Sequence, residues 1–236
     1  MIGALPSLPA RSIVVLHACC HNPTGVDLSP EQWQRVVALL KDSDLVPFLD
    51  FAYQGFGASV DEDAFAVRAF ASAGIPCLIA SSFSKSFSLY RERVGALTVV
   101  TARAEESKRV LSQIKRVIRT NYSSPASHGA QVVATALADT ELYALWLEEL
   151  TEMCKRIQTM RGRLVQTLRS KGISQDFSFI AQQNGMFSYS GLTKEQVHRL
   201  RAEYSLYIVD SGRICVAALN DKNIDYVCDA IAHVLA

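Results

Sequence analysis

The chain has 236 residues, of which 49% are hydrophobic and 20% charged, enough for one large globular domain or two smaller ones. A net charge of +1 gives no electrostatic reason to bind nucleic acid or an anionic membrane surface. No apolar run reaches bilayer length, and residues 1–10 lack the basic start and apolar core of a secretory signal.

Residues 12–18 form a short β-branched run that predicts a buried strand. The turn-rich His21-Asn22-Pro23-Thr24-Gly25 follows. Ser29-Pro30-Glu31-Gln32 then supplies an N-cap, a proline at the first helical position and a capping-box glutamine, for a helix to about Lys41. Residues 46–50 predict a second strand, 61–73 a helix closed by Gly74, 77–81 a third strand and 94–100 a fourth of either direction. This alternation is the pattern of an α/β fold, a mainly parallel sheet flanked by helices. From about Ala104 helical periodicity dominates to Arg169, with a loop at 121–127 and one long helix, or two end to end, over 140–169. Short strands at 186–189, 206–209 and 214–217 and helices at 193–204 and 221–234 predict a smaller α+β part. The expected division is a large domain over 1–145 and a small C-terminal domain over 146–236, joined by the long helix.

Six cysteines are present, and the only close pair, Cys19-Cys20, lacks metal-ligand spacing. Reduced, mostly buried thiols in a cytoplasmic protein without a metal are expected.

In an open parallel sheet, ligands sit outside the carboxyl ends of the strands. Asn22 follows the first predicted strand, Asp50 closes the second, and Lys85 lies just past the third, within Ser82-Phe83-Ser84-Lys85-Ser86. A carboxylate ending a buried strand is costly without a cationic partner. Tyr53 is near enough in sequence to serve the same ligand. Arg93, with the Ser82 and Ser84 hydroxyls, can hold a phosphate through charge-assisted bonds. Arg213, in Ser211-Gly212-Arg213 before a strand, can grip a carboxylate bidentately. Singly, each is ordinary: Asp50 a cap, Asn22 part of a turn, Tyr53 a core residue, the arginines surface groups. Together they point to a phosphate-bearing cofactor. Pyridoxal phosphate fits, with Lys85 as its amine partner and proton shuttle, but the residues alone do not single it out.

The same segments carry a resemblance. Residues 17–25 and 50–56, the Ser82–Gly95 stretch, Asn121-Tyr122-Ser123-Ser124-Pro125, Asn184-Gly185-Met186-Phe187-Ser188 and Ser211-Gly212-Arg213 resemble aspartate and aromatic amino-acid aminotransferases of fold type I, in order and over essentially the whole chain. The resemblance implies a homodimeric, pyridoxal-phosphate-dependent transaminase. It would move an amino group between an aromatic or acidic amino acid and a 2-oxo acid such as 2-oxoglutarate by a ping-pong mechanism. Lys85 matches the Schiff-base lysine, Asp50 the partner of the pyridinium nitrogen, and Asn22 and Tyr53 the ligands of the phenolate oxygen. Ser82 and Arg93 match phosphate ligands, and Arg213 matches the arginine of the α-carboxylate. Arg119 matches an arginine that reaches a neighbouring subunit's site and pairs with a side-chain carboxylate. Phe187 matches a residue lining the substrate side of the pocket.

Family members extend further at the front, whereas here the resemblance begins almost at Met1. The expectation is an N-terminally truncated member lacking a phosphate-binding loop, a ring-stacking aromatic residue and a tyrosine given across the dimer. A second reading is therefore a non-catalytic fragment acting only as an interaction or structural piece. Retention of Asn22, Asp50, Tyr53, Lys85, Arg93 and Arg213 argues against it. A nucleotide-binding α/β protein is a third reading, weakened because no glycine-rich phosphate fingerprint follows any strand.

Overall fold

The computed structural model describes residues 1–235 and forms two compact units. The first comprises Met1–Ala18, Leu28–Gln54 and Val60–Glu149; the second comprises Cys19–Asp27, Gly55–Ser59 and Leu150–Ala236.

After a 3-10 turn at Ile2–Ser7, the first unit is built on a sheet of β1 (Ile13–His17), β2 (Val46–Phe51), β3 (Cys77–Ser82) and β4 (Gly95–Val100) in that spatial order. The first three are parallel, and β4 runs antiparallel to β3, with Ser82 opposite Gly95. Helices α1 (Pro30–Lys41), α2 (Val60–Asp63), α3 (Phe65–Ser72), α4 (Ala104–Asn121) and α5 (His128–Ala138) accompany it. The Ser29 hydroxyl accepts from the Gln32 amide while the Gln32 side chain caps Ser29, so the capping box forms as its spacing predicts. The helix expected over 61–73 is interrupted at Ala64, which leaves the helical region and splits it into α2 and α3.

The core of this unit lies under one sheet face. Val14, Leu16, Leu49, Phe51, Cys77 and Ile79 are buried, as are Trp33, Val36, Val37 and Leu40 of α1 and Phe70 of α3. The Trp33 and Phe70 rings meet edge to face at 6.5 Å. The strand at β1 is buried on that face only: Ile13 and Val15, on the alternate positions, are 65% and 60% exposed.

Helix α6 runs unbroken from Thr140 to Ser170, one long helix rather than two. From Leu150 on it belongs to the second unit, where Leu150, Cys154, Ile157, Met160, Leu164 and Leu168 form its buried stripe. Helices α7 (Lys194–Tyr204) and α8 (Ile224–Leu235) pack on each other and bury Val197, Leu200, Ile224 and Ile231, and Cys228 Sγ of α8 donates to the Leu164 carbonyl of α6. A two-stranded antiparallel ribbon joins β5 (Phe187–Tyr189) to β6 (Arg213–Cys215). Short 3-10 turns occupy Ser178–Gln182 and Val216–Ala218.

The strand expected over 206–209 does not form. Ser205 takes a left-handed conformation that closes α7, the Leu206 amide donates back to the Leu200 carbonyl, and Arg201 takes the Ile208 carbonyl. The backbone groups a sheet ladder needs are spent on the helix end. No disulfide joins any of the six cysteines, and all but Cys215 are buried. No helix among the described residues is long and apolar enough to cross a membrane.

Candidate active site

In the first unit, His17, Asp50, Tyr53 and Lys85 lie at or just past the carboxyl ends of β1, β2 and β3. The register sets His17 opposite Asp50 and Phe51 opposite Ser81, and the Ala18 amide donates to the Asp50 carbonyl at 2.9 Å. His17 Nε2 lies 3.9 Å from Asp50 Oδ2, and its ring stacks on Tyr53 at 6.3 Å. The Lys85 amine sits over the face of the Tyr53 ring, 4.5 Å from its centre.

Lys85 is half-buried, and loss of water around the ammonium pulls its pKa below the ordinary 10.5. The Asp50 carboxylate opposes this shift and the Arg93 guanidinium reinforces it. The neutral amine is the nucleophile, so burial raises its population at physiological pH. The sign also fixes a pH dependence. The unfolded chain binds this proton more tightly, so the cost of burying the charged amine is fully present below the folded pKa. It is relieved as pH rises towards 10.5. Rates of Lys85 modification by an amine reagent, followed by peptide mass analysis against pH, should show a midpoint below 10.5. Asp50→Asn should move that midpoint lower still.

The turn that carries Lys85 is tied down on both sides. The Phe83 amide donates to the Val94 carbonyl, and the Ser88 amide to the Lys85 carbonyl. Trp146 Nε1 donates to the Ser86 carbonyl at 2.8 Å while its ring stacks on Phe87 at 4.8 Å. Ser84 is buried, with its amide donating to Ser82 Oγ at 3.2 Å. Arg93 adopts a positive φ of 52° and donates to the Tyr90 carbonyl at 2.8 Å. Arg119, near the end of α4, is exposed and donates to Ser123 Oγ at 2.6 Å.

The second unit assembles a different group. Arg213, at the start of β6, donates from Nη1 to Asn22 Oδ1 at 2.9 Å, and its guanidinium lies over the Phe187 ring at 4.6 Å. The Asn22-Pro23 peptide is cis. Gly25 holds a φ of 72°, and a Cβ there would lie 2.7 Å from the Phe187 carbonyl oxygen. Only glycine allows this turn to pack so closely against the strand that carries Phe187.

Sequence spacing thus brings Asp50, Tyr53, Ser82, Ser84, Lys85 and Arg93 to one region of the first unit, and Asn22, Phe187 and Arg213 together in the second. Arg119 lies on an exposed helix end. Sequence reasoning missed His17 and Trp146. His17 carried a signal, since it closes the strand that neighbours Asp50. Trp146 carried none, because its partner Ser86 is 60 residues away. A cavity of about 530 Å³ in the first unit is lined by Leu40, Val46, Cys77 and Val100 and holds none of these groups.

The model of the aminotransferase class I and II family matches residues 1–231. The chain belongs to that family. It is 60% identical over 235 residues to an aspartate aminotransferase of Pseudomonas aeruginosa and 54% identical to an aromatic-amino-acid aminotransferase of Escherichia coli. Each comparison covers 100% of this chain and 59% of the relative, so the chain spans about three-fifths of the length of these relatives. Among solved structures, the aromatic-amino-acid aminotransferase of Burkholderia pseudomallei, covalently bound to pyridoxal phosphate, superimposes with a TM-score of 0.98 at 60% identity. The comparison covers 100% of this chain and 59% of that one. An aromatic amino-acid aminotransferase of Psychrobacter, crystallised with aspartic acid, gives 0.97 at 46% identity and covers 59% of its length. The fold is that of the pyridoxal-phosphate aminotransferases, with a mainly parallel sheet flanked by helices.

Proposed function

We propose that the chain carries the chemical groups of a pyridoxal-phosphate-dependent aminotransferase acting on aromatic and acidic L-amino acids. The single observation that carries this reading is Lys85, an amine of lowered pKa held over Tyr53 and within the field of Asp50. The donor set fits the cofactor. The Lys85 amine suits an aldehyde, the Asp50 carboxylate a pyridinium N–H, the Tyr53 hydroxyl and Asn22 amide a phenolate oxygen, and Ser82, Ser84 and Arg93 a phosphate. When bound, the cofactor supplies an electron sink for the carbanion left by loss of the substrate's α-proton.

The chain's own residues do the rest. Lys85 Nζ, neutral more often than an exposed lysine, takes the α-proton and returns it. Asp50 would keep a proton on the cofactor's ring nitrogen through a charge-assisted bond, and His17 Nε2 lies 3.9 Å from that carboxylate on the neighbouring strand end. Arg213 binds the α-carboxylate by its planar fork, with Phe187 beneath the guanidinium and Asn22 fixing its orientation. Phe187 also offers an apolar wall to an aromatic side chain. Arg119 would receive a side-chain carboxylate in a neighbouring subunit of a homodimer, and the setting would be the cytoplasm.

The test is a half-reaction. With pyridoxal phosphate present and no 2-oxo acid acceptor, phenylalanine and aspartate should each yield one equivalent of 2-oxo acid, as a ping-pong cycle requires. No product until 2-oxoglutarate is added would contradict that mechanism, and no product at all would contradict the activity. In Arg119→Leu the aspartate rate should fall by roughly 10-fold or more, the loss of one or two charge-assisted bonds, with phenylalanine little changed. Equal losses would count against the role given to Arg119.

A further inference from the structure

Arg161 of α6 is only 3% exposed, an unusual place for an arginine. Buried guanidinium groups ordinarily sit against a carboxylate. Among the described residues Arg161 has no such ion pair. Its donors instead reach neutral acceptors on the segment leading into β5. Nη2 donates to the Gly185 carbonyl at 2.6 Å and the Phe187 carbonyl at 3.5 Å. Nη1 donates to the Ile180 carbonyl at 3.4 Å and to Ser188 Oγ. Burial lowers the guanidinium pKa to about 10, with Cys20 and Asp27 opposing, so it stays charged at neutral pH.

Two of these acceptors, Phe187 and Ser188, belong to β5, which pairs with the β6 strand that carries Arg213. Phe187 and Ser188 pair with Cys215 and Ile214 of β6, and the Phe187 ring lies beneath the Arg213 guanidinium. The loop that bears Asn22 is stitched to the same segment. The Asn184 amide donates to the Gly25 carbonyl at 2.7 Å, and the Asn184 side chain donates to Asp27, which also accepts from the Cys20 and His21 amides. Gly185 has a φ of 78°, and a Cβ there would stand 2.5 Å from Cys20 Cβ. This backbone is thus held by close packing on the Cys20 side and by Arg161 on the α6 side.

We propose that Arg161 is a positioning residue for amino-acid binding, fixing the Gly185-Met186-Phe187 backbone so that the Phe187 ring and Asn22 hold Arg213 in its carboxylate-binding orientation. This rests on the reading of Arg213 as the carboxylate arginine. Without the guanidinium, the Gly185 and Phe187 carbonyls each lose a donor, and the segment is freed to shift towards others. Phe187 moves with it, and Arg213 loses one of its two restraints.

The experiment uses the full chain with pyridoxal phosphate. It measures the dissociation constant of 3-indolepropionate, a carboxylate that cannot be transaminated, by calorimetry, together with thermal melting and phenylalanine kinetics. Arg161→Met should weaken probe binding and raise KM at least about tenfold while kcat stays within about threefold and the absorption of the bound cofactor is unchanged. Arg161→Lys should regain part of the affinity, because an ammonium can still reach one or two carbonyls. Ser188→Ala, which removes one acceptor and leaves the carbonyls paired, should give a smaller loss in the same direction. Wild-type probe affinity in a folded Arg161→Met chain would overturn the proposal. If Arg161→Met does not fold, unchanged affinity in Ser188→Ala would overturn it. Failure of the underlying reading looks different: Arg213→Leu would then bind the probe as well as wild type.

Discussion

Lys85→Ala is expected to abolish transamination, with kcat reduced by at least about 10⁴-fold, while the chain melts within a few degrees of wild type. The rate expectation follows from two roles in one atom. In the proposed reaction Lys85 Nζ would both attach the cofactor and move the substrate's α-proton, and proton transfer alone contributes about 10²–10⁴-fold. The stability expectation follows from the direction of its pKa: burial disfavours the charged amine, so the folded state gains little from the group. The turn around it is held instead by Trp146, Phe87 and the Ser86 carbonyl, which the substitution leaves alone. Lys85→Arg separates charge from chemistry. A guanidinium keeps the positive charge over Tyr53 but cannot release its proton, so this variant should be as inactive as alanine. Activity within about tenfold of wild type in either variant, by steady-state kinetics, would remove Lys85 from the mechanism.

Arg213→Leu should raise KM for every amino-acid substrate by roughly 100-fold or more, the loss of a bidentate charge-assisted pair at about 1.5–3 kcal/mol per bond. The geometry makes the effect larger than that of an ordinary surface arginine. Arg213 is already restrained by Asn22 Oδ1 and by the Phe187 ring, so little ordering remains to be paid when a carboxylate arrives. Arg213→Lys should recover only part of the loss, because a single ammonium keeps the charge but not the fork. The loss should be the same for phenylalanine and aspartate, since both present the α-carboxylate. In this it differs from Arg119→Leu, which should divide the two substrates.

Local signals were the legible ones. Ser29 and Gln32 are three residues apart, and their reciprocal caps need nothing beyond the helix they start. The polar groups at strand ends were legible too, because a parallel sheet turns sequence order into spatial neighbourhood, bringing Asp50 beside His17 and leading the chain to Lys85. Features set by distant partners were not. The direction of β4 depends on its pairing with β3 rather than on its own residues. Residues 206–209 have strand-like composition, yet the close of α7 consumes their backbone groups. The exposed face of β1 is invisible in a run that is apolar at every position from Ile13 to Leu16. Arg161 was legible in hindsight. It stands in the stripe of Ile157, Met160, Leu164 and Leu168, where an arginine can stay only if something on the far side takes its donors.

The most direct measurement is the identity of the lysine that captures the cofactor. The chain is mixed with pyridoxal phosphate, reduced with borohydride and digested, and the pyridoxyl group is located by mass spectrometry. The group should be found on Lys85, and Lys85→Ala should retain none at any single site. Stoichiometric label on another lysine, or only scattered trace labelling of surface lysines in the unmutated chain, would contradict the assignment.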